Sequence, residues 1–235
     1  MTFHIITIFP NLFESYLSDS IMKRAIIRKD ISVKFYNPRD FTKSKHNKVD
    51  DIPYGGGPGM VMMADPIIAA WKKARGVKRR AVAQVKGEKK NYKTVILSPG
   101  GKEFTTAYAK QSAKKYTDII IICGRYEGID ARVKKFLGRQ ADEVSIGNYV
   151  LTGGELAAMV MIDSISRQIP GVLGNASSLE ESRVSSHEVY TRPEVLEETG
   201  KKYRVPPVLL SGNHKLIDEW RKDRWEGFGG FLFLL

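Results

Sequence analysis

An α/β fold, with a mostly parallel sheet and helices on both faces, is predicted by three features of this sequence. From Thr94 onward, apolar runs of strand length alternate with stretches of helical period, the pattern of parallel strands joined by crossover helices. Three of those runs end in glycine: 95–101 (VILSPGG), 119–128 (IIIICGRYEG) and 145–155 (SIGNYVLTGGE). Glycine permits positive φ or close approach of backbone to a ligand. Ligands in such sheets sit beyond the carboxyl ends of the strands, so the three junctions predict one shared pocket made largely of main chain.

The elements follow in order. Residues 3–9 read as a buried strand closed by Pro10, and Asn11 caps a short helix carrying Leu12, Phe13, Tyr16 and Leu17. A second helix is predicted over 21–28. The next strand is 31–36, with Val33 and Phe35 alternating against Ser32 and Lys34. A basic loop from Pro38, with Arg39, Lys43, Lys45, His46 and Lys48, leads to Pro53-Tyr54-Gly55-Gly56-Gly57-Pro58-Gly59-Met60. Neither the P-loop nor the dinucleotide fingerprint is present there. The segment reads as a tight surface turn or as a loop that lets RNA approach its amides.

Asp65-Pro66 starts a helix that runs to about Ala74. Between Lys72 and Lys93 many lysines and arginines face a single acid, Glu88. That run is either a solvated loop or an electrostatic arm for RNA phosphates. Strands at 94–98, 118–123 and 143–146 then alternate with helices at 104–116, 129–137 and 154–168. In the last helix Asp163 and Arg167 share a face, where an ion pair would add a few tenths of a kcal/mol, on the order of 0.3. Pro170-Gly171 stops it. Residues 175–188, rich in Ser and Glu, read as a mobile linker; Glu180 and Glu181 there are surface charges or a base brought in by ordering. Thr191-Arg192-Pro193 opens a short helix, and a proline-stiffened turn over 205–214 leads to a final helix bearing Leu216, Ile217 and Trp220.

With 235 residues and 42% apolar content, the chain can form one substantial domain and a smaller one. A formal charge of +12 and a pI near 9.6 point to a polyanionic partner, nucleic acid first. The single cysteine, Cys123, ends an apolar strand and reads as a small buried hydrophobe. His4, His46, His187 and His214 lack metal-ligand spacing. No signal peptide is read at the N-terminus, and the apolar 228–235 tail is too short to span a bilayer. A cytoplasmic protein with no membrane partner is expected.

The chain closely resembles the bacterial tRNA (guanine-N1)-methyltransferases, the TrmD family of the SPOUT class. Eight motifs in family order carry the resemblance: Phe9-Pro10; Pro38-Arg39-Asp40-Phe41; Val49-Asp50-Asp51 with 53–60; 123–130; 145–155; 169–174; 190–194; and 206–214. The resemblance implies a trefoil knot, S-adenosylmethionine as cofactor, tRNA as partner, and a homodimer whose active site uses both chains. It implies a methyltransferase domain over 1–170, an interdomain linker over 171–190 and a small helical tRNA-binding domain over 191–235.

Carried over by motif, the cofactor pocket is Leu97, Ser98, Pro99 and Gly101; Gly124, Tyr126 and Glu127; then Ser145, Ile146, Gly147, Asn148, Tyr149, Val150, Leu151, Gly153 and Gly154. The implied reaction methylates N1 of the guanosine at position 37, beside the anticodon. N1 carries a proton, so a carboxylate base is needed, and a cation near O6 would stabilise the developing charge. The family's arginine matches Arg167, and its base is placed here at Glu181. Splaying out the target base falls to the linker, to the loop of Tyr54, Gly55, Gly56, Gly57, Pro58 and Gly59, and to the C-terminal domain with Asn213 and His214. The family's magnesium dependence adds Mg2+ as a candidate cofactor, although no ligand cluster marks a site.

The departures are specific. Leu179-Glu180-Glu181-Ser182 has no aspartate where the family has its catalytic one, Asn148 stands for a usual Asp, and Ala157 for a common proline. Beyond Trp220 the chain ceases to follow the family's longer helical C-terminus, so a reduced tRNA-gripping domain is expected. Two other readings remain. One is a knotted methyltransferase acting on a ribose 2′-hydroxyl or a different base; the other is a non-catalytic tRNA-binding relative.

Overall fold

The computed structural model describes residues 1–76, 90–174 and 188–226. The chain divides into two compact units, Met1–Gly174 and Asn175–Leu235. In the first, β1 (Thr2–Ile6) is followed by α1 (Glu14–Leu17), α2 (Ser20–Ile27) and β2 (Ser32–Tyr36). The short strands β3 (Asp50–Asp51) and β4 (Val61–Met62) precede α3 (Ala64–Arg75). Then come β5 (Tyr92–Glu103), α4 (Thr106–Lys115), β6 (Asp118–Ile122), α5 (Arg132–Leu137), β7 (Ala141–Ser145) and α6 (Gly154–Ser166).

The sheet has five strands in the order β2-β1-β6-β5-β7, and every pairing is parallel. This is the predicted α/β architecture. The central strand β6 explains its unbroken isoleucines, because both of its faces are buried. Ile119 and Ile121 pack with Phe13, Ala109, Met161 and Ile162, from α4, α6 and the turn before α1; Ile120 and Ile122 pack with Ile67, Ala70 and Trp71 of α3 and Val133 and Leu137 of α5. In register, Ile6 and Ile96 both lie opposite Ile122, and Leu97 lies opposite Val144. The carboxyl ends of β1, β5, β6 and β7 therefore reach one edge of the sheet together.

Two local differences have physical reasons. Helix α3 begins at Ala64 with Met63 at its N-cap, so Asp65 complements the helix dipole from the first turn instead of capping it. Strand β5 outlasts its expected end, because the chain bulges after Leu97 and returns so that Lys102 also lies opposite Val144. A Cβ at Gly101 would fall on the backbone of Glu143 and Val144, so only glycine permits the return.

At the opposite edge His4 is buried between two hydrogen bonds, its Nε2 donating to Asp118 Oδ1 (2.9 Å) and its Nδ1 accepting from the Tyr36 hydroxyl (3.0 Å). Desolvation lowers the His4 pKa, so the contact with Asp118 is a hydrogen bond of neutral imidazole at neutral pH. Lys90 Nζ also reaches Asp118 Oδ1, at 3.1 Å, and supplies that carboxylate's charge partner.

The second unit contains β8 (Val195–Glu198), β9 (Lys201–Arg204), α7 (Pro207–Leu210) and α8 (His214–Glu226). The expected short helix after Thr191 is instead an antiparallel hairpin. Arg192 precedes a proline, which disfavours helix, and Thr199 and Gly200 both take positive φ (49° and 76°), as a two-residue hairpin turn requires. This unit is thus a hairpin with helices and not helical throughout. Among the described residues no helix is long and apolar enough to cross a membrane.

Candidate functional site

The three glycine junctions meet at the carboxyl edge of the sheet around a cavity of about 270 Å³. Leu97, Ser98 and Pro99 come from the bulge within β5; Gly124, Tyr126 and Glu127 follow β6; Ser145 ends β7, and Ile146, Tyr149, Val150, Leu151, Gly153 and Gly154 follow it. Arg125, Gly128, Val144, Thr152 and Ala157 complete the lining. Three of the expected residues do not line it. Gly101 lies against β7, Gly147 sits behind the Tyr149 ring, which occupies the space of any Cβ there, and Asn148 is exposed.

Backbone closeness holds the cavity together. The Gly154 amide donates to Gly124 O at 2.9 Å, and a Cβ on Gly154 would lie 2.8 Å from Cys123 Cα and 3.1 Å from Gly124 N. Helix α6 therefore starts with its main chain pressed on the end of β6. Tyr126 adopts φ 59°, a left-handed conformation costing a tyrosine about 1–3 kcal/mol. The turn is closed by Gly128 N donating to Arg125 O at 3.2 Å. After β7, Ser145 Oγ donates to Gly147 O at 2.9 Å and fixes the bend that carries Tyr149.

Beneath this cavity lies an ion pair that sequence reasoning did not assign. Glu155, 1% exposed, accepts from Arg125 Nε at 2.8 Å and from Thr7 Oγ1 at 2.7 Å. Arg125 also donates to Thr152 O at 3.2 Å, and its guanidinium lies 4.8 Å from the Phe9 ring centre. The network ties the end of β1, the β6 junction and the first turn of α6 into one frame. Removing one partner of a buried pair of this kind costs about 3–5 kcal/mol. The signal available in the sequence was an acid, Glu155, opening the apolar first two turns of the helix. Cys123 beside it is buried and free; burial first, and then Glu155, pushes its thiol well up, so it stays protonated.

The glycine-rich loop is anchored beside the cavity. Strands β3 and β4 pair at its base, Glu127 N donates to Met60 O at 2.9 Å, and Met62 N donates to Gly128 O at 2.9 Å. Gly55, Gly56 and Gly57 have positive φ with open space around them, and Tyr54 is 99% exposed. Pro58 is exposed too. Gly59 is closer in, since a Cβ there would stand 2.6 Å from a Glu127 carboxylate oxygen.

Arg167 lies apart from this group. It caps the far end of α6, its amide bonded to Asp163 O at 3.0 Å, a helix length of about 20 Å from Gly154. Burial first, and then the Asp163 carboxylate on its hydroxyl, holds the Tyr16 phenol's pKa up at about 12. Asn213 and His214 belong to the second unit, where Asn213 Oδ1 caps α8 through Leu216 N at 3.3 Å. Glu180 and Glu181, and most of the 72–93 run, lie outside the described residues. Among the described residues no group of three or more His, Cys, Asp or Glu is placed to hold a metal ion.

Comparison with known proteins adds two findings. Residues 1–227 match the family model described as tRNA (Guanine-1)-methyltransferase TrmD. Curated relatives named tRNA (guanine-N(1)-)-methyltransferase include one from Clostridioides difficile (strain 630), 49% identical over 227 residues, covering 95% of this chain and 91% of the relative. Others come from Buchnera aphidicola subsp. Acyrthosiphon pisum, 46% identical over 93% of this chain and 87% of the relative, and from Thermomicrobium roseum, 48% identical over 94% and 78%.

Proposed function

This chain belongs to the tRNA (guanine-1)-methyltransferase TrmD family, and we propose that it transfers a methyl group from S-adenosylmethionine to N1 of guanosine 37 of tRNA in the cytoplasm. The observation that carries this reading is the convergence of three glycine junctions on one cavity, with the glycine-rich loop anchored at its rim. The residues present fit the cofactor. Leu97, Val144, Ile146, Leu151 and Ala157 offer an apolar slot for a flat base, while Ser98 and Glu127 offer polar groups for hydroxyls and an amine. The placement of β5 between β6 and β7, with 145–154 crossing their ends, supports a trefoil knot.

When bound, the cofactor supplies an electrophilic methyl carbon on a sulfonium that leaves as a neutral thioether. Glu181 takes the N1 proton as the lone pair of N1 commits to the new bond. Arg167 offsets the negative charge that moves toward O6. Because Arg167 caps the far end of α6, about 15 Å of helix beyond Ala157, the last residue of α6 that lines the cavity, we assign it to the cavity of a second copy. Leu156 and Val160 of α6, one turn apart, are exposed beside Leu12 and Tyr16, an apolar face that supports such pairing. We assign 1–170 to the cofactor domain, 171–190 to the linker that brings the base, and 191–235, with Asn213 and His214, to tRNA binding.

The test is transfer of labelled methyl to two tRNA transcripts that carry G or A at position 37, preceded by G. Incorporation into the G transcript alone is expected. Equal incorporation into both would place the target elsewhere.

A further inference from the structure

The face of the first unit formed by α3 and α5 carries cations that no described carboxylate pairs, beyond Arg132 with Asp130. Both helices start beside the glycine-rich loop: α3 follows Met62, and Arg132, at the start of α5, is held by Asp130 and lies in the electrostatic reach of Tyr54 and Asp65. They pack on each other, with Trp71 edge-on to Phe136 at 6.1 Å. Helix α3 then runs about 18 Å to Arg75. The face thus joins the rim of the cleft to the far edge of the sheet.

At that far edge the cations fall into two sets. Lys90 and Lys93 are engaged by Asp118 and Asp142. Lys72, Lys73 and Arg75 on α3, with Lys135 on α5 and Arg139 just after it, make no salt bridge to any described carboxylate. No Asp or Glu occurs from Pro66 to Gly87, or from Ala131 to Ala141. Some of this charge complements the α3 dipole, but a dipole needs no aromatic support. Here Arg75 lies 4.1 Å over the Tyr92 ring, and Lys72 lies 5.1 Å over Phe136, which is 48% exposed. Rings that hold cations in place, on helix stretches without acids after Asp65 and Asp130, suit a backbone of phosphates.

We propose that the outer face of α3 and α5, with Lys72, Lys73 and Arg75 at its end, binds the phosphate backbone of the substrate tRNA while the target base occupies the cleft. This rests on the tRNA reading above for the identity of the RNA. The contact is one of charge and not of sequence, so it adds affinity for any correctly shaped tRNA.

Fluorescence anisotropy with full-length tRNA across a salt series tests it on three chains: wild type, a Lys72→Gln/Lys73→Gln/Arg75→Gln variant, and a charge-retaining K72R/K73R/R75K variant. The neutralised variant should bind about tenfold more weakly or worse at ~0.15 M salt, and the slope of log affinity against log salt should fall by about 2 to 3. The charge-retaining variant should stay within about twofold of wild type, and S-adenosylmethionine affinity should be retained in both, which reports folding. Equal affinity and equal slope in the neutralised variant would overturn the proposal. Methyl transfer by the wild type is scored separately. A protein that binds tRNA through this face but transfers no methyl would refute the activity and leave the surface standing.

Discussion

Glu181→Gln is expected to lower the rate of methyl transfer to tRNA by about 10²–10⁴-fold at saturating substrate, the range that a positioned general base contributes. Glutamine keeps the shape and hydrogen bonding of the side chain but cannot take the N1 proton, so S-adenosylmethionine and tRNA should bind much as before. Glu180→Gln should retain most of the rate. The opposite result would move the base by one residue. Retention of full rate by the double variant would mean that N1 is not the nucleophile, since a ribose hydroxyl reaction does not need this carboxylate.

Arg167→Ala is expected to lose about 10²–10³-fold in rate, as removal of a preorganised charge stabiliser does, and Gly154→Ala is expected to abolish cofactor binding. In Gly154→Ala the added Cβ meets backbone atoms of Cys123 and Gly124, which cannot rotate away. The helix start must shift, at a stability cost of about 1–3 kcal/mol. The two defects lie at opposite ends of α6, so mixing the two inactive chains separates a shared site from a private one. In a mixed dimer, one of the two sites draws its cavity from the Arg167→Ala chain and its arginine from the Gly154→Ala chain. Random two-fold pairing then restores about a quarter of wild-type activity. No recovery after subunit exchange would put Arg167 and the cavity to work within one chain, against the separation in the fold.

What was legible in the sequence was what backbone chemistry dictates locally. A strand such as Asp118–Ile122, apolar at every position after its acid, belongs in the centre of a parallel sheet, and Gly153 and Gly154 announced close approaches that the fold shows. What was not legible depends on distant partners. The bond from Thr7 to Glu155 spans 148 residues, and nothing in either segment names the other. Gly101 belongs to the cofactor pocket by family motif, yet in the fold its hydrogen-sized space is taken by β7. The spacing of Asp163 and Arg167 suggested a helix-face pair, but it could not show that Asp163 engages Tyr16 or that Arg167 caps the end of α6 opposite the cavity. The positive φ at Thr199 and Gly200 makes the hairpin turn, where Thr191-Arg192-Pro193 suggests a helix start.

The measurement that bears most directly on the chemistry is nucleoside analysis of tRNA incubated with the protein and S-adenosylmethionine, digested and resolved by mass spectrometry. N1-methylguanosine as the new nucleoside is the expected result, because the cleft, the linker carboxylate and Arg167 are assigned to a base nitrogen that must lose a proton. A 2′-O-methylated nucleoside in its place would contradict that assignment and make this a knotted ribose methyltransferase.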